Sequence, residues 1–310
     1  MRWSGVRVLV TGASGFLGTH LAAALRAAGA VVTATSRSAR APAEVAWVQA
    51  DLTDPAQARR ALADAAPAIV FHLSSLADGH LDPGLIGATF AAETVATVNL
   101  LDAARAHGVG RVILAASFEM PDPGQAPTSP YAAAKAASHV YGQLFHAVYG
   151  LPVTQARIFM AYGPGQPDAK LIPTITRDFL AGVAPRLASP QRSLDWIYID
   201  DVIEGLLALA GAPGVEGRTV DIGSGVLTTI ADLAAHIGRL CGAKVVAQVA
   251  AEAARGAERV AMADVAATRA LIGWQPRVAL DAGLSRWLDH CRERAGHNDI
   301  PAANIGIRYP

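Results

Sequence analysis

A serine, a tyrosine and a lysine stand near one another in the middle of the chain. Ser117 ends the apolar run RVILAAS, and SPYAAAK follows at 129–135, placing Tyr131 four residues before Lys135. On a helix, positions i and i+4 share a face, so the ammonium and the phenol would lie side by side. Such a pair can move a proton, because a nearby cation favours the phenolate. Tyr-x-x-x-Lys is also a pattern that chance supplies readily, and by itself it equally describes a turn followed by an alanine-rich helix. What precedes it must decide.

The run VRVLVTG at 6–12 leads into TGASGFLG, where Gly12, Gly15 and Gly18 take the spacing G-x-x-G-x-x-G. Glycine is needed where a chain turns sharply and where backbone must approach a pyrophosphate, and the helix that follows offers unpaired N–H groups to that anion. With Ser14, Phe16 and Leu17 between them, these glycines are expected to cradle a dinucleotide; an ordinary strand-to-helix turn is the alternative. After the second strand, VVTATSR at 31–37, the chain carries Ser36 and Arg37 where an acid would accept from ribose hydroxyls. An arginine there can pair with a 2'-phosphate, which favours NADP(H) and leaves NAD(H) open. A solvated arginine is the competing reading. Asp51 and Leu52, after the third strand, are expected beside the adenine.

The elements that would position these residues alternate regularly. THLAAALRAAGA, PAQARRALADA and a pattern from Thr89 to His107 read as helices between the strands AEVAWVQADL, AIVFHLSS and GRVILAAS. This rhythm implies an α/β fold, a doubly wound parallel sheet with helices on both faces and ligands at the carboxyl ends of its strands. The chain of 310 residues is 52% hydrophobic and 17% charged, enough for a large core. Lys+Arg and Asp+Glu both number 26, so no net field draws the chain to nucleic acid or to a membrane. The N-terminal apolar run is broken early by glycines, and no membrane span is expected. Cys241 and Cys291 are too few for a disulfide framework, and a reducing, cytoplasmic setting is expected. No histidine, cysteine and carboxylate cluster has metal-ligand spacing.

The chain resembles the extended short-chain dehydrogenases/reductases, the NAD(P)-dependent nucleotide-sugar epimerases, dehydratases and ketoreductases. The resemblance spans nearly the whole sequence, through TGASGFLG, DLTD at 51–54, FHLSS at 71–75, VNLLDAA at 98–104, SPYAAAK, YGPGQ at 162–166, DWIYIDDV at 195–202, DIGSG at 221–225 and IGWQP at 272–276. It implies a modified Rossmann fold with a cofactor domain over 1–160 and a returning segment at about 194–222. A smaller C-terminal substrate-binding lobe would hold 161–193 and 223–310.

The same resemblance implies the roles of individual residues. Leu73, Ser74 and Ser75 would border the cofactor. Tyr131 would exchange the proton, Lys135 would assist it and hold the cofactor ribose, and Ser117 would bond the reacting sugar oxygen. Lys135, together with the positive nicotinamide ring, is expected to lower the Tyr131 pKa toward working pH. His80, Met160, Lys170, Leu171, Arg192 and Arg255 would contact a nucleoside-diphosphate sugar. Dehydratases of the family carry an acid pair after the serine or threonine; here Phe118 stands first and Glu119 second, so the acid for a leaving hydroxyl is missing, while Glu119 would either act as a catalytic base or face solvent. The resemblance implies a homodimer through the helices around 89–107 and 131–149. The reading is an NADP(H)-dependent 4-ketoreductase of a nucleoside-diphosphate 4-keto sugar. The alternatives are a nucleotide-sugar 4-epimerase, a dehydratase, or a non-catalytic NADP sensor.

Overall fold

In the computed structural model, which describes residues 2–37, 45–77, 80–250 and 259–297, the β-branched runs line up as one parallel sheet. Its strands are β1 (Arg7–Thr11), β2 (Val31–Ser36), β3 (Ala46–Gln49), β4 (Ile69–His72), β5 (Arg111–Ser117), β6 (Val153–Ile158) and β10 (Thr219–Ile222), in the order β10-β6-β5-β4-β1-β2-β3. Every neighbouring pair is parallel. All four residues of β4 are buried, as are the last four of β1, because helices cover both faces. The strand order reverses between β1 and β4, and the Gly12 and Ser74 loops leave the sheet side by side there.

Caps written in the sequence bound the helices. Helix α1 is Phe16–Ala27. Helix α2 (Pro55–Ala65) begins at Asp54, which accepts from the N–H groups of Ala56 and Gln57, with Pro55 at the first helical position. Helices α3 (Ile86–Phe90) and α4 (Ala96–Ala106) flank a π turn at Ala91–Val95. Helix α5 (Pro130–Tyr149) starts at the Ser129 cap and stops at Gly150, whose left-handed φ of 68° ends it. The stretch Pro83–Ala106 has the length and apolarity of a bilayer span, yet Ala96, Leu100, Leu101, Ala103 and Ala104 are in the core against α2 and the sheet.

Contacts divide the chain into two units. The first comprises 1–158, 203–222 and 265–275; the second comprises 159–202, 223–264 and 276–310. The second contains α6 (Leu171–Leu180), α8 (Ile230–Cys241), α10 (Leu280–His297) and a three-stranded sheet of β11 (Leu227–Thr229), β9 (Ser193–Tyr198) and β7 (Met160–Tyr162). It also has the short pair β8 (Arg186–Leu187) and β12 (Gln248–Val249). Because β9 pairs with β7 and β11, the chain re-enters the first unit within α7 (Ile199–Gly211), at Ile203, later than the 194 expected from sequence. Helix α9 (Val265–Ile272) joins the first unit too, where Thr268 donates to the Asp221 carbonyl at 2.9 Å.

Two motif acids of the second unit tie backbone together. Asp195 is buried and accepts from the Ser224 N–H and hydroxyl at 2.6 Å, from the Gly225 N–H at 2.9 Å and from the Ala263 N–H at 3.0 Å. Asp201 accepts from the N–H groups of Arg277 and Val278 at 3.0 and 2.8 Å.

Candidate active site

The glycine loop is shaped by close backbone approach. Gly12 has φ 66°, and a Cβ there would lie 2.7 Å from the Ser74 nitrogen. A Cβ on Gly18, which is buried in the first turn of α1, would collide with the Gly12 carbonyl. Gly15 is the extended N-cap of α1 and no side chain caps the helix, so its first N–H groups face outward without a side-chain acceptor. Ser14 is exposed, and Phe16 and Leu17 are half-buried. An uncapped helix end behind a turn that no Cβ fits suits a dinucleotide pyrophosphate.

Next along the sheet, Leu73 is buried, Ser74 half-buried and Ser75 exposed. The Ser74 N–H donates to the Thr11 hydroxyl, which ties the β4 loop to the end of β1. Asp51 is half-buried and folds onto its own loop, accepting from the Thr53 N–H and hydroxyl at 3.0 and 2.8 Å. Asn99 of α4 donates to the carbonyls of buried Leu52 and of Thr53, fixing that loop. Ser36 ends β2, and Arg37 is exposed with its carbonyl accepting from Gln49.

Tyr131 and Lys135 do lie on one face of α5, directed at the end of β5. The Tyr131 hydroxyl is hydrogen-bonded to the Ser117 side chain, and the Lys135 ammonium is 5.8 Å from the centre of the Tyr131 ring. Lys135 is buried and donates to the Ala115 carbonyl at 3.0 Å. The Glu119 N–H donates to the Ser117 hydroxyl at 3.1 Å, while Phe118 is buried.

Without the nicotinamide ring, on which the expected lowering also rested, the protein's own groups act on the tyrosine in both directions. Burial raises the Tyr131 pKa; Lys135 lowers it, Glu93 raises it, the Ser117 bond lowers it and Glu119 raises it, and the balance is upward. Burial also works against the Lys135 ammonium, but Glu93 and Tyr131 attract it more strongly and hold its pKa above the ordinary value.

Glu93 is a residue of this cluster that the sequence reading missed. Its carboxylate, from the π turn, meets the Lys135 ammonium at 2.8 Å. The signal was present in AAETV at 91–95: an acid inside an apolar helical stretch, with Ala96, Thr97 and Leu100 buried on the same helix. His72, at the end of β4, was also passed over. It is buried between the hydroxyls of Thr11 and Thr97, and burial, with a contribution from Lys135, pushes its pKa from 6.5 to about 3.

Most of the expected sugar contacts belong to the second unit. Met160 begins β7, Lys170 is the exposed N-cap residue of α6, Leu171 opens that helix, and Arg192 is half-buried just before β9 and donates to the Arg259 carbonyl at 3.5 Å. His80 is exposed in the first unit. Arg255 lies outside the described residues.

Comparison with known proteins shows the family of the chain. The model of the NAD dependent epimerase/dehydratase family matches residues 8–223. The chain is similar to the UDP-glucose 4-epimerase of Mycolicibacterium smegmatis, at 29% identity over 94% of this chain and 100% of that protein. It is similar to a dTDP-glucose 4,6-dehydratase of Actinoplanes, at 29% identity over 90% of this chain and 96% of the relative. Among solved structures, the UDP-glucose 4-epimerase of Thermus thermophilus in complex with NAD superposes with a TM-score of 0.83 at 25% identity, covering 93% of this chain and 99% of that one.

Proposed function

From the chain's membership of the NAD-dependent epimerase/dehydratase family, we propose that it is an enzyme acting at C4 of a nucleoside-diphosphate hexose, with reduction of a 4-keto sugar as its net reaction. The observation that carries the reading is the Ser117–Tyr131–Lys135 cluster, a half-buried phenol hydrogen-bonded to a buried serine and set beside a buried lysine. A nicotinamide dinucleotide, when bound, supplies or takes the hydride. Residues of the Gly12–Gly18 loop, Leu73–Ser75, Tyr131 and Lys135 would hold it, with Asp51 and Leu52 at the adenine. The Tyr131 hydroxyl gives its proton to the C4 oxygen in reduction and receives it in oxidation, while the Ser117 hydroxyl orients that oxygen. Phe118 has no proton to give to a departing hydroxyl, which argues against elimination of water.

Two further parts belong to the same proposal. NADP(H) is the favoured cofactor, because among the described residues the end of β2 offers Ser36 and the exposed Arg37. The chain pairs with a second copy, since α5 exposes Val140, Leu144, Val148 and Tyr149, and Ile86 and Phe90 of the neighbouring α3 are exposed as well. A second reading, 4-epimerisation, is favoured by the whole-length similarity to a UDP-glucose 4-epimerase. It needs the same three residues and leaves no net change in cofactor.

One experiment separates these outcomes. The protein is incubated with a panel of nucleotide sugars and their 4-keto derivatives, with reduced cofactor followed by absorbance and products by mass. One cofactor consumed per product, with a gain of two hydrogens, is the expected result. Turnover at constant mass without net consumption establishes the epimerase. Loss of one water from an unmodified hexose, or no turnover of any sugar, overturns the proposal.

A further inference from the structure

Glu93 is a carboxylate at 1% exposure inside the apolar stretch Pro83–Ala106. It sits in the π turn, a widened helical turn of a kind that recurs at functional sites. The Glu93 carbonyl accepts from the hydroxyls of Thr97 and Ser138, and Thr94 donates to the Ala134 carbonyl at 3.2 Å. The turn is thereby stitched to the helix that carries Tyr131 and Lys135. All of the carboxylate's contacts point into the site. Oε1 accepts from the Ser75 hydroxyl and the Leu76 N–H, both at 2.6 Å, and Oε2 meets Lys135 at 2.8 Å. One side chain therefore holds both the loop expected to border the cofactor and the ammonium beside the phenol.

A buried ion pair is poor evidence for a purely stabilising role, because a well-packed apolar pair does as well or better. Its distinctive effect here is on the field. An isolated ammonium draws a neighbouring phenol toward phenolate, whereas a carboxylate in contact with that ammonium turns the cation into one end of a dipole. The groups that act on Tyr131 are Lys135 on its own helix, Glu93 from the π turn, and Ser117 and Glu119 at the end of β5. His72 of β4 lies near Lys135 and is neutral at ordinary pH.

We propose that Glu93 is a positioning residue that clamps the Lys135 ammonium and cancels much of its pull on Tyr131, so that the site rests as a proton donor suited to keto reduction. The inference rests on the reading of Tyr131 as the proton carrier. The upward direction of the Tyr131 pKa, set first by burial and with Glu93 among the groups raising it, agrees.

The test is a titration of the phenol itself. The six tyrosines are labelled with carbon-13 at Cζ, Tyr131 is assigned through Tyr131→Phe, and the wild-type protein, E93Q and E93D are titrated. Removal of the charge in E93Q should lower the Tyr131 midpoint by about one pH unit or more, while E93D, which keeps the charge, stays near the wild type. Equal midpoints in wild type and E93Q overturn the inference, as does an E93D shift as large as that of E93Q. Should E93Q fail to fold, K135Q is compared with E93Q/K135Q; a midpoint that does not fall on loss of the carboxylate is equally fatal. In turnover, the alkaline limb of kcat for reduction should move to lower pH in E93Q by the same amount. The titration needs no substrate. A shifted midpoint in a protein that turns over no nucleotide sugar would keep this inference and remove the functional reading, and keto reduction with an unmoved midpoint would do the reverse.

Discussion

Lowering the pH from about 7.5 to about 5 protonates His72 in the unfolded chain but not in the native sheet. His72 is 2% exposed, and its hydrogen bonds run in one direction. The Ser74 N–H donates to Thr11 Oγ1 at 3.2 Å, and the Thr11 hydroxyl donates to His72 Nδ1 at 2.7 Å. The His72 Nε2–H donates to Thr97 Oγ1 at 3.1 Å, and Thr97 donates to the Glu93 carbonyl. A second ring proton would point at a hydroxyl already aimed at the ring, in a buried site near Lys135. These constraints account for a pKa pushed from 6.5 to about 3. The group's folded pKa is depressed, so its contribution to stability is complete above about 6.5 and is lost as pH falls toward 3. Inside that window the unfolded state binds one extra proton, and stability falls by about 1.4 kcal/mol per pH unit, or about 2 kcal/mol between pH 7.5 and 5. Urea unfolding of the wild type and of His72→Gln at both pH values measures it. The variant keeps a donor and an acceptor but cannot titrate, so its loss should be smaller by that amount. Nitrogen-15 shifts of the His72 ring provide a second reading and should report a neutral imidazole at pH 5. Parallel pH dependence of the two proteins, or a protonated ring at pH 5, would refute the reasoning.

Three other substitutions probe the site. Tyr131→Phe should leave dinucleotide affinity nearly intact by calorimetry while lowering turnover by about 10² or more; a variant that keeps most of its turnover would revive a non-catalytic role. Arg37→Asp should reverse a preference for NADPH in initial-rate measurements, since it replaces a phosphate partner with a repelling carboxylate, and unchanged cofactor use would show that Arg37 only meets solvent. Gly18→Ala should weaken dinucleotide binding and lower stability by about 1–3 kcal/mol, because its Cβ meets the Gly12 backbone rather than a side chain that can move; a Tm equal to that of the wild type would count against the tight turn.

What the sequence determined by itself was local. The period of the β-branched runs is set by backbone dihedrals and side-chain direction within a few residues, so strands and helices were legible before any packing was known; the caps at Asp54 and Ser129 and the stop at Gly150 are equally local, although the sequence reading did not single them out. The Gly12–Gly18 spacing and the i, i+4 placement of Tyr131 and Lys135 were legible for the same reason. Tertiary structure alone decided which charges those residues meet. Glu93 reads as one acid among alanines until the π turn directs it at Lys135, and His72 reads as an ordinary strand residue until two threonine hydroxyls and the sheet enclose it. Asp195 read only as the first residue of the DWIYIDDV motif, and the fold has it gather backbone N–H groups brought together from distant segments, while β9 lies outside the main sheet because its partners are β7 and β11. Burial and long-range pairing set proton affinities and strand partners, and neither is encoded in residue spacing: each arises only when segments remote in the chain exclude water together.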